Sequence, residues 1–233
     1  MNLKNARVLL TGGSLGIGKA TAKLLVENGA KVGITGRDRT RLAAASDDTG
    51  AFPIVADVAS PSDIKRTYDV FLGEFGGMDC LINNAGIGVR RSAEEVSLDD
   101  FQTVFGVNVF GAALMTAASI PIFQKLGRGD IVNIGSTAAL NGYEGGTVYS
   151  SSKFALRGLT QCWRSELRKY NIRVFMVNPS EVATAFANPD RVERTAPPNK
   201  LHSEEIAHAI KAVLEMENRG FVPELSVWAT NPW

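Results

Sequence analysis

The chain has 233 residues, of which 45% are hydrophobic, and its formal net charge at pH 7 is +1. A chain of this length buries a sizeable core and fits one large α/β domain spanning residues 1–233. The balanced charge and high hydrophobic content argue against intrinsic disorder and provide no charge field for nucleic acid. The composition therefore does not suggest a nucleic-acid partner.

The composition also bears on the compartment. The N-terminus runs from a short polar start into an apolar strand, without the architecture of a signal peptide. No apolar run approaches the ~20 residues of a membrane span, so no membrane association is expected. Cys80 and Cys162 lie in a strand-like run and in a helical pattern, which favours core residues over a disulfide or a metal site. We expect the reducing cytoplasm and no metal.

The first predicted strand, Arg7–Thr11, ends in a glycine-rich turn, and a helical pattern follows the turn. Such a unit presents backbone N–H groups and a helix N-terminus to an anion, and its glycines allow close backbone approach. A turn that merely joins strand to helix is the alternative, but the flanking elements favour nucleotide binding. The candidate cofactor-binding residues of this turn are Gly12, Ser14, Leu15, Gly16, Ile17 and Gly18.

The end of the second predicted strand, Lys31–Thr35, bears on the choice of cofactor. NAD-specific sites place an acid about 20 residues beyond the glycine turn, and this chain has Gly36 and Arg37 there. Arginine pairs with a 2′-phosphate that a carboxylate would repel. Asp38 is open to the acid role, but it is also suited to capping the next helix. NADP(H) is favoured, and NAD(H) remains the alternative.

Strand-like and helical patterns alternate along the rest of the chain. The further predicted strands are Phe52–Ala56, Met78–Ile82, Asp130–Ile134, Ile172–Val177 and a short strand near Leu225–Trp228. The predicted helices include Pro61–Phe75, Leu98–Leu126 with a break near Pro121, Tyr149–Tyr170, and a helix from a Ser203 cap to about Asn218. This alternation predicts an α/β fold with a doubly wound parallel sheet of the Rossmann type.

A tyrosine and a lysine four residues apart, Tyr149 and Lys153, form the candidate catalytic pair. That spacing places them one turn apart on one face of a helix. A nearby ammonium lowers the pKa of a phenol, so Tyr149 is expected to act as a general acid or base near neutral pH. Ser136 follows an apolar strand, and its hydroxyl is placed to hydrogen-bond a substrate oxygen. By itself, the pair also fits an exposed i,i+4 contact.

Together these motifs resemble the short-chain dehydrogenase/reductase family over nearly the whole chain. The matching residues are Thr11-Gly12-x-x-x-Gly16-x-Gly18, Asn83-Asn84-Ala85-Gly86, Asn108, Ser136, Tyr149-x-x-x-Lys153 and Pro179-x-x-Val182-x-Thr184. The resemblance implies hydride transfer between nicotinamide and a carbonyl or alcohol. Tyr149 would be the proton donor or acceptor, and Ser136 would orient the oxygen. Lys153 would lower the tyrosine pKa and hold the nicotinamide ribose.

The resemblance assigns further roles. Asn108 would hold a water in a proton relay. The cofactor contacts that it implies are Asp57, Val58, Asn84, Ala85, Gly86, Pro179, Val182 and Thr184. Two departures are notable: Ser180-Glu181 follows Pro179 where the family has glycine, and Leu15 stands where many NADP-dependent members have a basic residue.

The resemblance leaves the substrate open. The substrate loop is short, at about 185–202, which indicates a small lid and an open cleft. Arg90 and Arg91 are candidate contacts for an acidic substrate or a carrier protein, with solvated loop charges as the alternative. We expect a ketoreductase acting on a small carbonyl compound, with an NAD-dependent alcohol dehydrogenase and a cofactor sensor as alternatives. The apolar helices from Leu98 and from Tyr149 predict a homodimer or homotetramer.

Overall fold

Strands and helices alternate along the chain in a computed structural model, which describes residues 1–188, 190–192 and 197–231. The strands are β1 (Arg7–Leu10), β2 (Lys31–Gly36), β3 (Phe52–Val55), β4 (Cys80–Asn83), β5 (Gly129–Ile134), β6 (Ile172–Pro179) and β7 (Glu224–Val227). The helices are α1 (Gly16–Glu27), α2 (Arg39–Thr49), α3 (Pro61–Phe75), α4 (Leu98–Phe105), α5 (Ala112–Leu126), α6 (Thr147–Leu167) and α7 (Ser203–Glu215). The predicted elements are confirmed to within a few residues at their ends.

All seven strands are parallel and lie in the order β3-β2-β1-β4-β5-β6-β7. The chain builds outward from β1 to β3, then returns to place β4 on the other side of β1. Open sheets of this kind bind ligands in the crevice at such a reversal, beyond the carboxyl ends of the strands. The predicted doubly wound parallel sheet is confirmed.

Helices cover both faces of the sheet, so successive residues of a strand enter different cores. In β1, Val8 and Leu10 pack into the core formed with α1, α2 and α7, which includes Leu25. Leu9 points to the other face and packs with Phe71 of α3 in the core shared with α5. This two-residue period explains why the strands are apolar throughout rather than alternating.

The long helical stretch Leu98–Leu126 differs from the prediction in two ways. It does not break at Pro121, which lies inside α5; a six-residue π-helix, Gly106–Gly111, instead joins α4 to α5. An internal proline removes one helical hydrogen bond and costs about 3 kcal/mol, which the burial of Met115 and Phe123 offsets.

The same stretch is also more apolar than expected. Its mean hydropathy over the best window is 1.6, so by length and composition it qualifies as a membrane span, contrary to the expectation from the sequence. Half of that window is buried inside the protein, where the stretch packs against α3, α6 and the sheet. The apolar character is that of a core helix.

Two smaller expectations were also wrong. The N-cap of α7 is His202 rather than Ser203, because the side chain of Glu205 accepts a hydrogen bond from the His202 backbone at 2.7 Å and closes a capping box one residue earlier. Cys80 is buried as expected, but Cys162 is exposed, because it lies on the outward face of α6. Helical periodicity alone did not distinguish the two faces at that position.

Candidate active site

The predicted site residues follow the carboxyl ends of six strands and therefore gather at one edge of the sheet. The glycine turn follows β1, Arg37 follows β2, and Asp57 and Val58 follow β3. Asn84, Ala85 and Gly86 follow β4, Ser136 follows β5, and Pro179, Val182 and Thr184 end or follow β6. Tyr149 and Lys153 lie on α6, and Asn108 lies in the π-helix. The fold brings all of these segments to the edge where the topology predicts a ligand.

The glycine turn packs too tightly for side chains at two of its positions. Gly12 has φ of +69°, and a Cβ there would lie 2.8 Å from the Cα of Ala85. A Cβ at Gly18 would lie 2.2 Å from the carbonyl oxygen of Gly12. The N-cap of α1 is Leu15, whose apolar side chain cannot cap the helix. This close backbone at a helix N-terminus fits the pyrophosphate of a dinucleotide.

Asn84 ties the β4 segment to the glycine turn. Its Nδ2 donates to the carbonyl oxygens of Thr11, at 3.0 Å, and Gly12, at 2.9 Å. The Thr11 hydroxyl accepts hydrogen bonds from the backbone N–H groups of Asn84 and Ala85, at 3.1 and 3.0 Å. The amide of Asn84 is therefore a structural cross-link, which fixes the backbone of the neighbouring residues at the cofactor edge.

The charged residues after β2 have separate partners. The Asp38 carboxylate caps α2, accepting from the backbone N–H of Arg41 at 2.9 Å and pairing with its guanidinium at 3.1 Å. The hydrogen bond from the Arg41 N–H is the largest cause that lowers the pKa of Asp38, and the Arg41 guanidinium lowers it further. Arg37 is 60% exposed and lies 3.7 Å from the Asp57 carboxylate. Its guanidinium is therefore exposed at the edge of the cleft in a long pair with Asp57, whereas the Asp38 carboxylate caps α2.

Tyr149 and Lys153 are one turn apart on α6, with the lysine ammonium 5.8 Å from the centre of the tyrosine ring. The buried Lys153 donates to the carbonyl oxygen of Ile134, at the end of β5, at 2.9 Å. Burial lowers the pKa of Lys153 to about 8. Burial raises the pKa of Tyr149 to about 12, and a hydrogen bond with Ser136 opposes the rise. The spacing is as predicted, but the pKa of Tyr149 moves opposite to the expectation.

Asn108 clamps the segment that follows β4. Its Nδ2 donates to the Ile87 carbonyl at 2.9 Å and to the Ser152 hydroxyl at 3.0 Å, while its Oδ1 accepts from the Ile87 N–H at 2.9 Å. A π-helix has more residues per turn than an α-helix, and the π-helix Gly106–Gly111 holds Asn108 with its side chain turned inward. A poor helix former therefore stands inside a helix, because its amide joins α6 to the segment after β4.

The segment after β6 is anchored at both ends of the substrate loop. Val182 forms a parallel bridge with Leu201, and the Ala183 N–H donates to the Leu201 carbonyl at 3.0 Å. Glu181, part of the departure from the family pattern after Pro179, is 71% exposed and pairs with Lys200 at 3.1 Å. Its charge is therefore directed to the far end of the loop. Within the predicted loop 185–202, residues 189 and 193–196 lie outside the described residues.

One residue that the sequence reasoning missed is Phe186. It lies in a short 3₁₀ turn, Ala185–Ala187, whose start is capped by the Thr184 hydroxyl, which accepts from the Phe186 N–H at 3.3 Å. The Phe186 ring meets the Tyr149 ring edge-on, with centroids 5.5 Å apart and an interplanar angle of 61°. The sequence signal that could have identified Phe186 is an aromatic residue two positions after Thr184.

The two arginines after β4 have different roles. Arg91 pairs with Asp100 at 3.5 Å, and its backbone N–H donates to the Gly145 carbonyl at 3.0 Å, so it fixes the loop. The Arg90 side chain lies across Gly145, where a Cβ would be 2.9 Å from its Nε. It also lies close enough to Tyr143 to oppose the rise that burial causes in the pKa of that tyrosine.

Comparison with known proteins identifies the family. The model of the short chain dehydrogenase family matches residues 6–195. A 3-ketodihydrosphingosine reductase from Bacteroides thetaiotaomicron is 30% identical over 217 residues, covering 93% of this chain and 78% of the relative. An NADP-dependent 3-hydroxy acid dehydrogenase from Schizosaccharomyces pombe is 34% identical over 193 residues, covering 79% and 74% of the two chains.

Solved structures agree. The 3-ketoacyl-(acyl-carrier-protein) reductase from Brucella melitensis, complexed with NADH, superposes with a TM-score of 0.89 at 28% identity, covering 99% of this chain and all of that one. The chain therefore belongs to the short-chain dehydrogenase/reductase family. It is an oxidoreductase of the CH–OH/C=O class that uses a nicotinamide dinucleotide.

Proposed function

We propose that the protein is an NADPH-dependent ketoreductase that reduces a carbonyl compound to an alcohol. The observation that carries the proposal is the grouping of Ser136, Tyr149 and Lys153 at the carboxyl edge of the sheet, beside a glycine turn that fits a pyrophosphate. The nicotinamide, when bound, supplies the hydride. The glycine turn would hold the pyrophosphate, and Arg37 would hold the 2′-phosphate.

The protonation states of the site residues support reduction. With a pKa of about 12, Tyr149 holds its proton at pH 7 and is ready to donate it to a carbonyl oxygen. Ser136, hydrogen-bonded to the phenol, would orient the same oxygen. Lys153, with a pKa of about 8, is mostly charged at pH 7 and would stabilise the negative charge that develops on the phenol oxygen.

The partners of the charged residues support a preference for NADP(H). Asp38, the residue on which an NAD-specific site would depend, is committed to capping α2. Arg37 is exposed at the neighbouring position. The relatives do not decide between the cofactors, since one is named NADP-dependent and one neighbouring structure holds NADH. An NAD-dependent alcohol dehydrogenase is the alternative, and it would require Asp38 to leave its cap.

The substrate is proposed to carry a negative charge near its carbonyl group. Arg90 lies beside Tyr143, and Tyr143 is close enough to Tyr149 to raise the pKa of the catalytic phenol. A substrate whose carboxylate binds Arg90 would place its carbonyl group in the site of Tyr149. The relative named as a 3-hydroxy acid dehydrogenase acts on compounds of this kind, which supports a 3-oxo acid here.

A second copy of this chain is the proposed protein partner, in a homodimer or homotetramer. Large apolar side chains remain exposed on α5 and α6: Leu114 is 43% exposed and Phe154 45%. Phe110, in the π-helix, is 57% exposed. Burying these side chains against a second copy is favourable at about 25 cal/mol per Å². Sedimentation showing a stable monomer at micromolar concentration would rule this out.

The proposal is tested with purified enzyme, both cofactors and a panel of ketones, 3-oxoacyl thioesters, sugars, 3-oxobutanoate and its ethyl ester. We expect NADPH-dependent reduction, with a lower KM for 3-oxobutanoate than for the ester. Arg90→Ala should raise the KM for the acid several-fold and leave the ester unchanged, with Arg66→Ala as an exposed-arginine control. Absence of reduction across the panel, or activity with NADH alone, would contradict the proposal. Cytoplasmic location, also proposed, is tested by fractionation.

A further inference from the structure

The catalytic tyrosine is enclosed on one side by a contact among three residues. A Cβ at Gly88 would lie 2.9 Å from Cε1 of Phe186 and 3.3 Å from Cδ2 of Tyr149. Together with the edge-on contact of the Phe186 and Tyr149 rings, this distance shows that both rings press against the backbone of Gly88. Space for a substrate substituent on that side of Tyr149 is taken up by the Phe186 ring.

A carbonyl substrate must fit beside the contact between the Phe186 and Tyr149 rings. A carbonyl carbon carries two substituents, and its oxygen must approach the Tyr149 hydroxyl. One substituent therefore faces the Phe186 ring, and the other points away from it.

The position of Phe186 is fixed from the cofactor side. Thr184 caps the turn that carries Phe186, and a Cβ at Gly16 in the glycine turn would lie 3.1 Å from the Thr184 methyl group. The ring therefore occupies a defined place relative to the cofactor-binding turn. Its shape can then act on the substrate without a change in the catalytic residues.

From this geometry we infer that Phe186 is a specificity-determining residue that restricts one substituent of the carbonyl substrate to a small group such as methyl. The inference rests on the proposed ketoreductase function and deepens it. The favoured substrate class is a methyl ketone, with the larger group directed away from Phe186. A ketone with two bulky substituents must place one of them against Phe186 in either orientation.

The test compares two esters that differ in one group, ethyl 3-oxobutanoate and ethyl 3-oxo-3-phenylpropanoate, with NADPH. In Phe186→Ala we expect the phenyl-to-methyl ratio of kcat/KM to rise at least tenfold, and in Phe186→Trp to fall. Val192→Ala is the matched control, since this loop residue is 61% exposed and the ratio should stay as in the wild type. An unchanged ratio in Phe186→Ala, with NADPH binding intact by fluorescence titration, would overturn the inference.

A binding measurement separates this inference from the proposed reaction. Saturation-transfer NMR with NADP⁺ present compares two unreactive amides, acetanilide and benzanilide, on the wild type and on Phe186→Ala. Both carry one bulky group on nitrogen, so the wild type should bind acetanilide through its methyl group and exclude benzanilide, while the variant should bind both. Equal binding of benzanilide to both proteins contradicts the role of Phe186 whether or not either ester is reduced, whereas failed reduction with the expected amide pattern contradicts only the proposed function.

Discussion

Removing the guanidinium of Arg37 is expected to weaken NADPH binding about fivefold to tenfold and to leave NADH binding nearly unchanged. A charge-assisted hydrogen bond contributes roughly 1.5–3 kcal/mol. Arg37 is 60% exposed, so solvent screening places its contribution at the lower end of that range. The phosphate must also compete with Asp57, whose carboxylate lies 3.7 Å away in a weak pair of about 0.5 kcal/mol. The difference, about 1–1.4 kcal/mol, corresponds to a fivefold to tenfold weakening of NADPH binding.

The assay is the dissociation constant of each cofactor by fluorescence titration, and the KM of each with the best ketone. Arg39→Ala is the control, because Arg39 begins α2 two residues further on and is also exposed. The effect of Arg37→Ala should shrink at high salt, since the pair is screened. Equal losses with NADPH and NADH, or a wild-type enzyme that prefers NADH, would refute the reasoning and transfer the choice of cofactor to Asp38.

Three further predictions concern turnover, pH and stability. Tyr149→Phe should lower kcat by roughly 10²–10⁴-fold in stopped-flow assays while NADPH binding stays within twofold; near-normal turnover would exclude the tyrosine as proton donor. The lowered pKa of Lys153 means that its charge is present below about pH 8 and lost above it. The rate of ketone reduction should therefore decline as pH rises through 8. A flat rate profile up to pH 10 would contradict this. The buried pair of Arg173 and Asp130, 2.7 Å apart, predicts that Asp130→Asn lowers the free energy of unfolding by about 3–5 kcal/mol in urea titrations. As a control, Asp69→Asn, which breaks an exposed ion pair, should lower the free energy of unfolding by less than about 1 kcal/mol. Similar losses of unfolding free energy in both variants would contradict the prediction.

The sheet and the placement of the site were predictable because both follow from local patterns. Parallel strands end at one edge, so the residues after β1, β4 and β5 had to meet there once the alternation was recognised. The cap of α2 was likewise predictable, since Asp38 stands directly before the helix and its carboxylate reaches the Arg41 N–H. Each of these inferences needs only neighbours in sequence or a rule about strand ends.

Features that depend on distant segments were not predictable. Phe186 touches Gly88 across about half the chain, and the irregular substrate loop has no periodicity from which this contact could be read. The π-helix at Gly106–Gly111 has the same origin, because the inward turn of Asn108 is set by its bonds to Ile87 and Ser152. The apolar pattern of the stretch continues through that region and gives no sign of an extra residue.

The pKa of Tyr149 shows why even a correctly predicted pair can be given the wrong electrostatics. The i,i+4 spacing fixed the neighbours, and from it a lowered tyrosine pKa was expected. Burial raises the pKa of a phenol because it disfavours the charged form, whereas a nearby cation lowers it. In this site Lys153 donates to the Ile134 carbonyl, and burial is the largest cause of the shift in the Tyr149 pKa. Burial therefore dominates and raises the pKa of Tyr149 to about 12. Tyr149 therefore holds its proton at neutral pH, as the proposed role of proton donor requires.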